Sequence, residues 1–179
     1  DCRYAVKTAD QYLQQMISKY RSDEFGVKSQ VQAIYPLIKD WANQYLVDGF
    51  YAGSVAKGTA VSLSTDADVF ISLSSTTPED LPQIYESLHD ILAENGYQVS
   101  RRDISINVVS GSYRIEFIPG KLLNQHSFDH CLYKSRSNSL FMTNIHKHLQ
   151  LVADSGRVEE IKLTKIWRDL NALYFPSFY

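Results

Sequence analysis

Residues 53–70 read Gly-Ser-Val-Ala-Lys-Gly-Thr-Ala-Val-Ser-Leu-Ser-Thr-Asp-Ala-Asp-Val-Phe. A strand, a Gly-Ser turn and a helix in succession bring backbone N–H groups and the Ser54 hydroxyl to a helix N-terminus, which suits a phosphate. Asp66 and Asp68 are two apart. On a strand both carboxylates take one face and Ala67 the other. Like charges held this way repel, and such pairs persist where a cation sits between them. Hard oxygen ligands suit Mg²⁺ or Mn²⁺, which keep waters and accept substrate phosphates as further ligands. A third carboxylate, Glu116, lies in Tyr113-Arg114-Ile115-Glu116-Phe117-Ile118-Pro119 and alternates with Ile115 and Phe117. On an adjacent strand it completes a three-carboxylate set able to hold two metal ions and drive in-line displacement at phosphorus. Taken singly, each feature is ordinary: a turn, a solvated strand edge, a surface glutamate. The joint pattern, with eleven residues between Gly53-Ser54 and Asp66-x-Asp68, is far more specific.

These residues need elements to position them. Apolar residues at helical spacing predict helices over 4–20 (Tyr4, Ala5 and Tyr12 among them) and 28–46. Residues 49–52 read as a short strand, 56–62 as a helical turn, and 67–73 as a strand rich in β-branched and aromatic residues. A helix is expected over 79–94, with Thr77 as N-cap and Asn95-Gly96 as the stop. Strands follow at 97–101, 104–109 and 113–118, with Ser110-Gly111-Ser112 as a hairpin turn and Pro119-Gly120 as a terminator. Residues 121–138 are polar, and 139–154 and 157–170 read as helices separated by Ser155-Gly156. Pro176-Ser177-Phe178-Tyr179 reads as the first turn of another helix. The order of elements predicts an α+β fold, a mixed sheet flanked by helices.

Composition narrows the setting. The 179 residues carry 18 Lys+Arg against 20 Asp+Glu, and 44% are hydrophobic. That supports a buried core and excludes wholesale disorder. The apolar runs fall short of the roughly 20 residues a spanning helix needs, so no membrane partner is expected. With no basic excess, any nucleic-acid contact must be local. Two distant thiols, Cys2 and Cys131, make neither a disulfide framework nor a metal motif. With no signal peptide visible, they point to a cytoplasmic protein. His126, His130, His146 and His148 match no zinc spacing.

The segment from Gly53 to Thr59, the acidic strand and Ile115-Glu116-Phe117-Ile118-Pro119 together resemble the signature of the DNA polymerase β-type nucleotidyltransferase superfamily. Within it they look like three groups: class I (archaeal) CCA-adding enzymes, 2′-5′-oligoadenylate synthases and bacterial cGAS/DncV-like nucleotidyltransferases. The resemblance is strongest from Phe50 to Pro119 and weaker onward to Tyr179. It implies a polymerase β-like fold in three parts: N-terminal helices over 1–47, a catalytic core over 48–138, and the start of a helical second domain over 139–179. It implies an NTP substrate, ATP foremost, and two Mg²⁺ or Mn²⁺ ions. Gly53 and Ser54, with Lys57 and Thr59 of the same motif, would bind the nucleotide. Asp66 and Asp68 would bind both metals, and Glu116 the metal that activates the attacking hydroxyl. Met142-Thr143-Asn144-Ile145-His146 and Lys162-Leu163-Thr164-Lys165-Ile166-Trp167 resemble stretches that make His146 and Lys165 triphosphate contacts.

Glu116 is a departure, because relatives usually have Asp there. One methylene moves a carboxylate by about 1.5 Å, which loosens metal placement. The leading expectation is transfer of a nucleoside monophosphate to a hydroxyl, with pyrophosphate leaving. The acceptor is an RNA 3′ end or a second nucleotide, and the near-neutral charge tilts toward the second. The other expectation is a non-catalytic nucleotide- or RNA-binding module on the same fold.

Overall fold

The computed structural model describes residues 7–63 and 66–174. The expectations for Cys2, Tyr4, Ala5 and the stretch from Pro176 to Tyr179 lie outside the described residues. The elements are α1 (Ala9–Lys19), α2 (Glu24–Ala42), β1 (Leu46–Tyr51), α3 (Gly53–Ala56), β2 (Asp66–Leu73), α4 (Leu81–Glu94), β3 (Gln98–Arg101), β4 (Ile106–Ser110), β5 (Tyr113–Leu122), β6 (His130–Lys134), β7 (Ser139–Thr143), α5 (Ile145–Ser155) and α6 (Val158–Leu170). The mixed sheet runs β1-β2-β5-β4-β3, and β6 and β7 extend it from β5. Strands β2 and β5 are parallel and the other pairs antiparallel. No described helix is long and apolar enough to cross a membrane.

Strand alternation divides the sheet into two unlike faces. Ala67, Val69, Ile71 and Leu73 of β2 join Ile115 and Phe117 of β5 on one face, which α2 and α4 cover to make the main core. The opposite face of β2 carries Asp66, Asp68, Phe70 and Ser72, and the matching face of β5 carries Glu116, Ile118 and Gly120. Phe70 and Ile118 there form a second buried cluster with Ala52 and Leu132, with Ile145 at the head of α5 packed on it. That face is therefore apolar toward one end and acidic toward the other. Helix α1 packs on α6, with Gln14 Nε2 donating to Glu159 Oε2 at 2.8 Å.

Several boundaries differ from the sequence reading. Helix α2 starts earlier because the Asp23 carboxylate caps it, accepting from Gly26 N–H at 2.9 Å. It ends at Ala42, and Asn43 follows with φ +49°. The helical turn expected over 56–62 falls at Gly53–Ala56. Asp80, not Thr77, caps α4, in a reciprocal capping box with Gln83. Thr77 is buried and its hydroxyl instead donates to the Ser74 carbonyl at 2.7 Å.

Pro119-Gly120 does not end its strand. Pairing to β4 ends at Phe117 and pairing to β6 begins at Lys121, so Pro119 lies where that edge of β5 asks for no N–H donor. Within 121–138 the structure places strand β6, and the first residues of the expected 139–154 helix form strand β7. Asn144 marks the true helix start, its side chain accepting from Lys147 N–H at 3.0 Å.

Candidate functional site

Chain geometry at the end of β1 sets the site. Ala52 N–H donates to the Asp68 carbonyl at 2.8 Å, which ties the end of β1 to β2. The next residue, Gly53, has φ +55° and opens α3. A Cβ at Gly53 would fall 1.6 Å from Asp68 Oδ2. Only glycine meets both demands: a left-handed backbone and room for a carboxylate against the main chain. The loop then turns back, with Thr59 N–H donating to the Ser54 carbonyl at 2.9 Å.

The three acidic side chains share a face. Ala67 is fully buried in the main core, so Asp66 and Asp68 point the other way. The parallel register sets Asp68 beside Glu116 and Asp66 beside Arg114. Burial, then the charges of Glu116 and Asp66, push the Asp68 carboxyl up to about 6, while Lys57 and Lys165 oppose the shift. Asp66 is raised by burial and by Glu116, with Arg114 and Arg102 opposing. The cations feel the same site. Burial lowers Lys57 and Asp68 opposes. Lys165 is lowered by burial, then by Arg168 and Lys57, and supported by Asp68 and Asp169. Its ammonium reaches the loop after α3, donating to the Thr59 carbonyl at 3.2 Å and the Thr59 hydroxyl at 3.3 Å.

The donor set is compatible with a hard divalent cation. It consists of oxygens, its acidic members repel one another, and they lie on neighbouring positions of two strands. Among the described residues, no three His, Cys, Asp or Glu side chains are gathered tightly enough to hold an ion unaided. An open set of this kind leaves coordination positions for waters and phosphates. A further acceptor stands beside it: Asn107, buried on β4 directly opposite Glu116, has an Oδ1 with no hydrogen-bond partner.

The expected residues are thus not all in one place. Asp66, Asp68 and Glu116 come together with Gly53, and Lys57 and Lys165 act on Asp68 through space. Ser54 and Thr59 belong to the loop that frames them. His146 is seated differently, its exposed ring against Phe50 (centroids 5.3 Å) and Phe128 (4.7 Å). Ser105 was invisible to motif reasoning, yet its hydroxyl donates to Glu116 Oε2 at 2.7 Å. Only strand pairing brings it there. Arg102, in the turn after β3, also lends its charge to Asp66.

No family model matches the sequence. No curated protein matches it either. Solved structures do. CdnC of E. coli MS115-1, in complex with HORMA-deltaN, superposes with a TM-score of 0.69 at 21% identity, covering 93% of this chain and 60% of that one. The CdnE cyclic dinucleotide synthase of Elizabethkingia meningoseptica gives a TM-score of 0.71 at 14% identity over 93% of this chain and 69% of that one. A cytoplasmic RNA terminal U-transferase gives 0.55 at 15% identity, over 88% and 43%. The chain thus spans about 60% of the length of CdnC. Its fold is the polymerase β-like nucleotidyltransferase fold.

Proposed function

We propose that this chain is the catalytic core of a metal-dependent nucleotidyltransferase. The observation that carries the reading is the strand register. It sets Glu116 beside Asp68 on the face that Asp66 shares, with the Gly53 backbone packed against the Asp68 carboxylate. Asp66, Asp68 and Glu116 would hold two Mg²⁺ or Mn²⁺ ions, which supply charge neutralisation and activation of a hydroxyl. Lys57 and Lys165 attract and orient the triphosphate of an NTP, ATP foremost, as cationic clamps. Gly53 and Ser54 present backbone and hydroxyl donors to it, Thr59 shapes the loop, and His146 adds a contact at the rim. Glu116 would take the acceptor hydroxyl's proton. The acceptor oxygen attacks the α-phosphorus, the bond from that phosphorus to the bridging oxygen breaks, and pyrophosphate leaves.

Two acceptors fit this chemistry: a second nucleotide, giving an oligo- or cyclic nucleotide, and an RNA 3′ end. The dinucleotide synthase among the similar structures and the absence of a basic excess favour the first. Helices α5 and α6 would be the near side of a helical second domain, with α6 carrying Lys165 toward the acidic end of the sheet. A cytoplasmic setting, where nucleoside triphosphates are abundant, goes with this assignment.

Incubation with all four triphosphates and Mg²⁺ or Mn²⁺, followed by mass spectrometry of the products, tests the proposal. Product and pyrophosphate are expected, and Asp66→Ala/Asp68→Ala lowers the rate on the order of a thousandfold. Calorimetric binding of an NTP without any turnover would instead make the chain a nucleotide-binding module.

A further inference from the structure

We propose that Ser105 is a positioning residue for Glu116, fixing which carboxylate oxygen faces the metal-binding side of the site. The inference rests on the reading above and adds to it a residue outside every motif. Glu116 has a long side chain with several rotors, and a carboxylate on such a stem does not hold one direction unaided. Ser105 is fully buried and donates to Glu116 Oε2 at 2.7 Å. A hydroxyl-to-carboxylate bond of that length is charge-assisted and among the stronger kinds. It commits Oε2 to the protein and leaves Oε1 for a ligand.

The backbone that carries the hydroxyl is itself held. Arg102 N–H donates to the Ser105 carbonyl at 2.8 Å, which closes the turn between β3 and β4. The Tyr85 hydroxyl on α4 reaches the carbonyls of Arg102 and, at 3.3 Å, Ser105. From the β6–β7 turn, Ser135 donates its hydroxyl to the Arg102 carbonyl (3.0 Å) and its N–H to the Asp103 carbonyl (2.7 Å). Arg136 N–H donates to Asp103 Oδ1 at 3.0 Å. A four-residue turn anchored from two other elements is more than a hairpin needs. The arrangement is what a fixed reference point for one side chain needs.

Opposite Glu116, Asn107 donates Nδ2–H to Ser100 Oγ at 3.2 Å and keeps its buried Oδ1 unpartnered. The carboxylate is thus bracketed by a donor that binds one of its oxygens and an acceptor that gives it no alternative hold.

Mn²⁺ binding, read by the loss of the free-ion electron paramagnetic resonance signal, tests this without requiring turnover. Ser105→Ala is expected to weaken Mn²⁺ binding by about tenfold, Ser105→Thr to restore it, and Ser105→Ala to add nothing in a Glu116→Gln background. Melting temperatures check that each variant folds, and Ser105→Cys, which keeps the volume with a weaker donor, replaces any alanine variant that does not. Wild-type binding by Ser105→Ala, or an equal effect in the Glu116→Gln background, overturns the inference. If the Asp66→Ala/Asp68→Ala variant still loses the ion, the functional proposal survives that result. If the wild-type chain takes up no Mn²⁺ with or without a non-hydrolysable ATP analogue, the proposed function fails, and this inference with it.

Discussion

Asp68 sits at about 6 in the folded protein, against an ordinary 3.8, because burial and two acidic neighbours disfavour its charge. Between those values the folded chain binds more protons than the unfolded one, so stability falls as pH rises through this window and stays reduced above it. The shift corresponds to a penalty on the order of 3 kcal/mol. In metal-free buffer, Asp68→Asn should therefore melt several degrees above the wild type at pH 8, with the gap closing toward pH 4. A variant less stable than wild type at pH 8 would count against the strain. The carboxylates were legible in the sequence because a spacing of two on an apolar strand needs no partner to interpret. Ser105 and Asn107 were not, since their nearness to Glu116 depends on the β4–β5 register and on a turn held from two other elements. The seating of the His146 ring against Phe50 and Phe128 was not legible either, because those contacts join residues far apart in the chain.

Among the elements, β5 does most to place the site, pairing with β2 on one edge and with β4 and then β6 on the other. Gly120 makes this possible. A Cβ there would stand 2.5 Å from Cζ of the buried Phe70 ring, which crosses over it. Gly120→Ala should cost about 1–3 kcal/mol by overpacking. Thermal melts check this, and in a Phe70→Leu background most of the loss should disappear. The same strand explains why local signals misread this region. Pro-Gly usually stops a strand, but here the proline falls in the gap between two pairing partners. β7 carries exposed Leu140 and Met142 around an inward Phe141, an alternation whose meaning comes only from its pairing with β6. Helix α4 and strand β2 were readable nearly to their ends, because the first carries its own cap and apolar stripe and the second its own apolar run, Val69-Phe70-Ile71.

At the scale of the whole molecule, the acidic end of the sheet faces a loop and a helix from distant parts of the chain, so a bound ligand there ties them together. Under the proposed function, an NTP with Mg²⁺ at a hundred times its dissociation constant adds about 2.7 kcal/mol. That should raise the melting temperature by about 5–10 °C, and Asp66→Ala/Asp68→Ala should abolish the rise. Differential scanning fluorimetry with each triphosphate checks it and ranks the bases. The hold of Thr59 on Lys165 bears on how such a ligand enters. A free lysine gives up about 1.5–2 kcal/mol of rotamer entropy when it is immobilised. Here folding has already taken that loss. An arriving phosphate meets an ammonium that is parked rather than searching, and binding there becomes an exchange of two neutral oxygens for charged ones. Recognition at Lys165 is then an enthalpic substitution, its ordering completed before the ligand arrives.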